Sequence, residues 1–384
     1  MSIKSLGWDD SFARSFETYT HSGPDNKSNQ SPQKGYSVGR VAVAHRNQYH
    51  LYTDKEDTDQ GDTNKGGTDK GDLDATLTGK LRHQLETTQS HIAVGDWVVI
   101  HQPPQSDKAL IVAVLPRKSQ VARQAAGTKT NAQIIAANLD TLFLISGLDH
   151  DFNLRRIERY LRMAWTSGAS PVIILNKADV CEDLAAKITA VESVAIAVPI
   201  IALSALSNEN LTALDPYLTP GKTVALLGSS GVGKSTLTNQ LVGQQVQATQ
   251  SVRADDSRGR HTTTHREMLR LPSGALLIDT PGMRELQIWS SEKDDAGGLD
   301  ETFSDIKALA TRCRFRNCRH QQEPDCAIQA ALSSGELSHQ RLNSYHKLQK
   351  EEAYQHRRQN QQAQNNAKAR WKHITKTIRN SRKE

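Results

Sequence analysis

From about residue 138 the chain alternates short apolar runs with helix-length stretches. The runs at 141–145, 172–175, 199–203, 224–227 and 276–278 predict strands, and 154–165 and 234–242 predict helices between them. Strands alternating with helices predict a parallel sheet covered on both faces. Such a sheet binds ligands in the loops beyond the carboxyl ends of its strands. Upstream, residues 41–44, 92–101 and 109–115 are β-like, and Gly95-Asp96 reads as a turn feeding Trp97-Val98-Val99-Ile100. That pattern permits a small β-barrel over 36–118, for which an oligonucleotide-binding fold is suitable. Residues 1–35 are rich in Ser, Asn, Gln, Gly and Pro without a period of 2 or 3.6, which predicts a disordered leader. Residues 54–74 repeat Asp, Lys, Gly and Thr in near-regular steps. They predict a flexible surface insertion, because no terminal Glu stands at calcium-loop spacing. After about residue 294 the chain turns helical and polar.

Composition sharpens this picture at two points. The hydrophobic fraction of 36% and mean hydropathy of −0.59 are low for 384 residues, so part of the length is strongly solvated. The net charge of +6 is uneven: from Tyr345 to Glu384 eleven Lys and Arg face three Glu, a local net of +8. A concentrated basic tail over 346–384 suggests a polyanionic partner. The N-terminus has no apolar signal core, and the run at 141–148 is too short to cross a bilayer. Four cysteines in a chain this size do not make a secreted disulfide scaffold. The expectation is a cytoplasmic protein without membrane contact.

Gly228-Ser229-Ser230-Gly231-Val232-Gly233-Lys234-Ser235 follows the predicted strand 224–227 and opens a predicted helix. That context is what a phosphate-binding loop requires. Small residues let backbone N–H groups cradle a β-phosphate at a helix N-terminus. Lys234 then bridges β- and γ-phosphates and the Ser235 hydroxyl ligates Mg²⁺. Asp279-Thr280-Pro281-Gly282 follows the strand at 276–278, placing Asp279 in the Mg²⁺ shell and the Gly282 N–H against a γ-phosphate. Asn176-Lys177-Ala178-Asp179 follows the strand at 172–175, and Asp179 can accept from both N1–H and the exocyclic amine of guanine. Adenine lacks both donors, and leaving that carboxylate unpaired is costly. Ser204-Ala205 fits a second guanine-side loop. The guanine signature therefore precedes the phosphate loop, the reverse of the ordinary order, and the chain reads as a circularly permuted GTPase.

Between the phosphate loop and Asp279 lies Gly259-Arg260-His261-Thr262-Thr263-Thr264, where the first switch belongs. Thr263 or Thr264 completes the Mg²⁺ coordination in this reading. Small GTPases place a water-orienting Gln just after the Asp-x-x-Gly glycine; here that position is Met283. Hydrolysis must borrow its water-positioning group, with His261 the candidate in cis and a partner macromolecule the candidate in trans. Intrinsic turnover should be slow. Cys313-x4-Cys318-x-His320-x5-Cys326 gathers three thiols and an imidazole at a spacing that suits one tetrahedral, closed and hence structural Zn²⁺. Arg314, Arg316 and Arg319 between these ligands suggest a knuckle presenting charge to phosphates.

With these motifs in this order, residues 36–345 resemble the ribosome small-subunit-dependent GTPase A family of bacteria. The resemblance implies an oligonucleotide-binding barrel over 36–118, a circularly permuted α/β GTPase domain over 119–290 and a helical zinc domain over 291–345. It also implies a late maturation factor acting on the small ribosomal subunit and its rRNA, with GTP hydrolysis stimulated by that subunit; a monomer is expected. It carries nucleotide contacts onto Asn176, Lys177, Asp179, Ser204, Ala205, residues 228–235, Thr236 and Asp279. Mg²⁺ contacts fall on Ser235, Thr263 and Asp279, and catalytic positions on Lys234, His261, Thr263 and Gly282. The opposing reading is an RNA-binding module in which GTP is a static ligand; an intact Lys234, Ser235 and Asp279 argue against it.

Overall fold

Strand β1 (Tyr36–His45) sits where two β structures meet, and its irregularity explains how it serves both. Residues 36–40 pair with β4 (Trp97–His101), and residues 40–45 pair with β2 (Gln48–Tyr52). A shift in register between Val41 and Val43 marks a bulge that bends the strand. With β3 (Asp72–Leu77) and β5 (Ala109–Val114), the order β1-β2-β3-β5-β4 closes back on β1 as a five-stranded barrel. The barrel is filled by Val41, Leu51, Leu77, Val98, Ile100 and Ile111, with Leu81 of α2 (Gly79–Thr88) as a plug.

The computed structural model describes residues 2–22, 35–45, 48–54, 72–88, 90–103, 106–124, 132–243, 266–279, 295–321 and 323–354. Two compact units divide it: Met1–Ala122 with Gln133–Leu286, and Arg123–Ala132 with Gln287–Glu384. The barrel and the parallel α/β sheet fall in the same unit because Val43 of β1 pairs with Glu267 of β12 (Glu267–Arg270). Beyond the barrel come the short ribbon β6 (Gln120–Gln124) and β7 (Ala132–Ala137) and the strands β8 (Thr141–Gly147), β9 (Ser170–Asn176), β10 (Ile200–Ala202), β11 (Thr223–Gly228) and β13 (Leu276–Asp279). The large sheet runs β10-β9-β8-β11-β13-β12 into the barrel. Its first five strands are parallel, and β12 is antiparallel to β13.

Every residue of β8 and of β11 is buried, as expected of parallel strands covered on both faces. The covering helices are α3 (Leu154–Ser167), α4 (Leu184–Glu192) and α5 (Lys234–Val242). Helix α3 starts where Asn153 accepts from the Arg156 amide and stops at Gly168 in the left-handed conformation. The chain runs from β8 outward to β10, then returns to place β11 on the other side of β8. The direction of winding therefore reverses between β8 and β11, where an open α/β sheet forms its ligand crevice.

The disordered leader expected over 1–35 does not hold for residues 2–22. Ile3–Leu6 forms a 3-10 turn and α1 (Asp10–Ser22) follows. Trp8, Phe12 and Phe16 recur at four-residue steps and make an aromatic stripe. The Trp8 and Phe12 rings lie 4.8 and 5.9 Å from the fully buried Trp97. Arg40, also buried, donates to the carbonyls of Leu6 and Asn138, fixing the turn onto the barrel. A second correction concerns the 54–74 insertion: residues 72–74 belong to β3 and pair with β2, while 55–71 lie outside the described residues.

The second unit contains α6 (Asp295–Thr302), α7 (Ser304–Ala310), α8 (Ala327–Ser334) and helical residues 339–354. Phe303, Ile306 and Ile328 are buried in it. Arg341 donates to Asp305 at 3.0 Å and to the Thr302 carbonyl at 2.7 Å, with its guanidinium over the Phe303 ring. Of the basic tail, 346–354 are helical and 355–384 lie outside the described residues. Among the described residues no helix is long and apolar enough to cross a membrane.

Candidate functional site: a guanine-nucleotide crevice and a Cys3His cluster

Strand β11 ends at Gly228, where a Cβ would lie 2.6 Å from the Ile145 carbonyl, so only glycine fits between β11 and β8. The loop then turns through Gly231 at φ +78° and Gly233 at φ +92° into α5. The loop leads directly into the N-terminus of the nine-residue α5, a helix end that is favourable for a phosphate. Lys234 Nζ donates to the carbonyls of Gly228, at 2.7 Å, and Ser229. Ser230 and Gly231 form the exposed lip, while Val232 is buried beneath it.

Asn176 joins three of the predicted motifs. It is 3% exposed; its Nδ2 donates to the Val232 carbonyl at 2.8 Å and its Oδ1 accepts from the Ala205 amide at 2.9 Å. The guanine-reading loop, the Ser204-Ala205 loop and the phosphate loop thus share one side chain. Ser204 exchanges backbone hydrogen bonds with Glu209, closing the turn that presents Ala205. Lys177 adopts φ +67° and its Nζ meets Asp149 Oδ2 at 2.5 Å. Asp179 stands exposed in the 3-10 turn Ala178–Val180, free to meet a base from solvent. Asp279 ends β13 beside β11, and Ser235 and Thr236 lie in the first turn of α5. Hydroxyl and carboxylate oxygens are the donors Mg²⁺ prefers, and the nucleotide's phosphates complete such a shell. His261, Thr263, Gly282 and Met283 lie outside the described residues.

Sequence reading passed over the loop after β8. Asp151 Oδ2 lies 2.5 Å from Ser229 Oγ and 2.5 Å from Arg156 Nη1. No local motif marks Asp149, Asp151 or Arg156; the adjacency of β8 to β11 and to β9 brings them to the crevice.

Gly233 carries a testable demand. A Cβ there would approach Asn176 Nδ2 to 2.2 Å, and φ +92° is costly for any side chain. Gly233→Ala therefore combines left-handed strain with loss of the Asn176–Val232 hydrogen bond, together about 2–4 kcal/mol. GDP affinity should fall by about 30-fold or more in calorimetric titration; an unchanged dissociation constant would contradict the packing.

In the second unit, Cys313, Cys318, His320 and Cys326 hold their ligand atoms within 4.8 Å of one another. Cys313 Sγ and Cys326 Sγ are 3.9 Å apart, and each lies 3.6 Å from His320 Nδ1. These are the edge lengths of a tetrahedron with metal–ligand bonds of about 2.3 and 2.0–2.1 Å, so the four residues fit Zn²⁺. Cys326 caps α8; although burial opposes it, hydrogen bonds from the α8 amides and neighbouring thiols lower its pKa. Desolvation and the adjacent sulfurs push the Cys318 thiol up to about 11. A cation is what lets all three ionise together. Glu323 accepts from the Arg319 and Gln321 amides and Gln329 donates to the His320 carbonyl, fixing the loop around the ligands.

The model of the RsgA GTPase family matches residues 114–289. A model for ABC transporters matches 211–377, an overlap that takes in the phosphate loop. A Lactiplantibacillus plantarum protein named small ribosomal subunit biogenesis GTPase RsgA 2 is 46% identical over 323 residues, covering 84% of this chain and 85% of its own. The Opitutus terrae protein named small ribosomal subunit biogenesis GTPase RsgA is 44% identical over 382 residues, covering 97% and 96%. Among solved structures, YjeQ from Thermotoga maritima superposes with a TM-score of 0.58 at 26% identity, covering 82% of this chain and 97% of that one. YloQ, described as a circularly permuted GTPase, has a TM-score of 0.57 at 23% identity over 84% and 97%, which speaks for the fold alone. With the guanine loop ahead of the phosphate loop on one crevice, and relatives of this similarity along nearly its whole length, the chain belongs to the RsgA family of circularly permuted GTPases, enzymes that bind guanine nucleotide with Mg²⁺ and hydrolyse GTP.

Proposed function

We propose that this protein is an assembly factor that binds the small ribosomal subunit and its rRNA late in maturation and hydrolyses GTP slowly until the subunit stimulates it. The observation that carries this reading is the 44–53% identity to proteins named for small ribosomal subunit biogenesis. The nucleotide sits between Asp179 at the base end and Lys234 at the phosphate end, with Ser235, Asp279 and Thr263 around Mg²⁺. Met283 in place of a water-orienting Gln supports slow intrinsic turnover, with His261 or the bound subunit supplying the missing group. The Cys3His cluster holds one structural Zn²⁺, and it stiffens a loop on which Arg314, Phe315, Arg316 and Arg319 are all exposed. Guanidinium groups beside an exposed ring suit phosphates and unstacked bases. The protein acts as a cytoplasmic monomer, away from membranes.

The deciding measurement is GTP turnover with purified small subunits, large subunits and neither. A transition-state group supplied in trans is worth about 10³–10⁵ in related phosphoryl transfers. Small subunits should therefore raise turnover at least about tenfold and large subunits should not. Equal turnover in all three would overturn stimulation by the subunit and with it the proposed role in assembly.

A further inference from the structure

Two carboxylates in the loop after β8 reach both ends of the nucleotide crevice without belonging to any nucleotide motif. Asp151 Oδ2 accepts from Ser229 Oγ at 2.5 Å and from Arg156 Nη1 at 2.5 Å, and Arg156 Nη1 also donates to Ser229 Oγ at 2.7 Å. The Ser229 hydroxyl is thereby used once as donor and once as acceptor, which fixes its rotamer. Two residues away, Asp149 Oδ2 accepts from Lys177 Nζ at 2.5 Å, while its Oδ1 accepts from the Asp151 amide at 3.1 Å. The phosphate loop and the guanine-reading loop are therefore tied to one short turn.

We propose that Asp149 and Asp151, with Arg156, are positioning residues for GTP hydrolysis: a brace that fixes the separation between the phosphate loop and the guanine-reading loop. A guanine nucleotide spans those loops, so their spacing decides whether base and phosphates are held together. A misplacement of 1 Å can cost about a hundredfold in rate. Arg156 is committed to Asp151 and Ser229, so it acts through the loop and is not assigned a phosphate contact. Burial would raise both carboxyls, yet the Lys177 bond at Asp149 and the Arg156 and Ser229 bonds at Asp151 hold them below the usual range. They stay charged at neutral pH. Ser229 is held twice, because Lys234 also bonds its carbonyl. The brace thus ends on the residue against which the phosphate lysine rests.

This inference rests on the nucleotide placement proposed above. The test is a double-mutant cycle of Asp151→Asn and Ser229→Ala in the full-length protein, read as GDP affinity and single-turnover GTP hydrolysis with thermal melting alongside. A charge-assisted hydrogen bond of this kind is worth about tenfold to a hundredfold. Each single variant should weaken GDP by about tenfold and the double by no more than the worse single. Asp149→Asn should likewise weaken GDP non-additively with Asp151→Asn, since the two share one turn. Multiplying effects, or unchanged affinity in folded variants, would overturn the brace. If Asp151→Asn fails to fold, the same cycle with Arg156→Gln decides. Lys234→Ala separates the two levels: retained GDP affinity there rejects the nucleotide placement. Lost affinity there, with an additive cycle, rejects only the brace.

Discussion

GTP turnover by Lys234→Ala is expected to fall at least about a hundredfold, with folding intact. Removing one preorganised donor to a developing anion costs about 10²–10³ in rate, and Lys234 offers a full positive charge where phosphoryl oxygens gather. Its Nζ already points along the phosphate loop, against the Gly228 and Ser229 carbonyls, so little reorganisation separates it from a phosphate. The substitution is gentle on the scaffold. Lys234 begins α5, alanine is the best helix former, and Leu237 and Thr238 keep the helix anchored in the core. Single-turnover hydrolysis compared with melting temperature separates the two effects. Turnover within a factor of two of the parent would place the reaction elsewhere in the molecule.

Stripping the metal from the Cys3His cluster is expected to unfold the second unit while leaving the first standing. Structural Zn²⁺ in small modules is worth about 10–16 kcal/mol of apparent binding free energy, comparable to or larger than the whole stability of most domains. Apart from the Glu323 and Gln329 hydrogen bonds, the described contacts of the loop around the cluster are weak ones. His320 and Asp325 both sit at positive φ, and the Arg314–Asp325 pair is exposed on both sides. Such surface pairs contribute about 0–1 kcal/mol. Chelation, or Cys326→Ser, should therefore remove one of two calorimetric transitions and release about one equivalent of zinc per chain. The pH dependence follows from the thiols. Cys318 is pushed up to about 11, so protons compete for it throughout the neutral range and zinc affinity weakens as pH falls. A metal-free protein whose second transition is unmoved would show that the cluster is not structural.

What could be read in the chain beforehand divides along physical lines. The phosphate loop, the guanine signature and the zinc ligands depend on close sequence spacing, and the structure brings the described members of each together. Strands β8, β9 and β11 announced themselves because burial on both faces demands unbroken apolar runs. Strands β2 and β3 did not. Gln48–Tyr52 and Asp72–Leu77 are short, half-polar and separated by the Asp- and Gly-rich insertion, and they become strands by pairing with β1, with each other and with β5. Helix α1 was hidden for a related reason, since three aromatics among Ser, Thr and Asp look like a solvated leader until Trp97 is there to receive them. Asp149 and Asp151 were illegible in principle. Their roles arise from the strand order, which sets the loops after β8 and β11 side by side although a whole β–α–β passage separates them in sequence.

That strand order has a consequence for how the protein is made. Strand β11 occupies the middle of the nucleotide-binding sheet, yet it leaves the ribosome after β8, β9 and β10 have all been synthesised. Until Thr223–Gly228 emerges, β8 presents a bare edge of apolar residues with unanswered amides and carbonyls, the kind of edge that recruits stray strands. Pairing with β11 answers that edge of β8 and passes the open edge to β11 itself, which is covered only when β13 (Leu276–Asp279) follows.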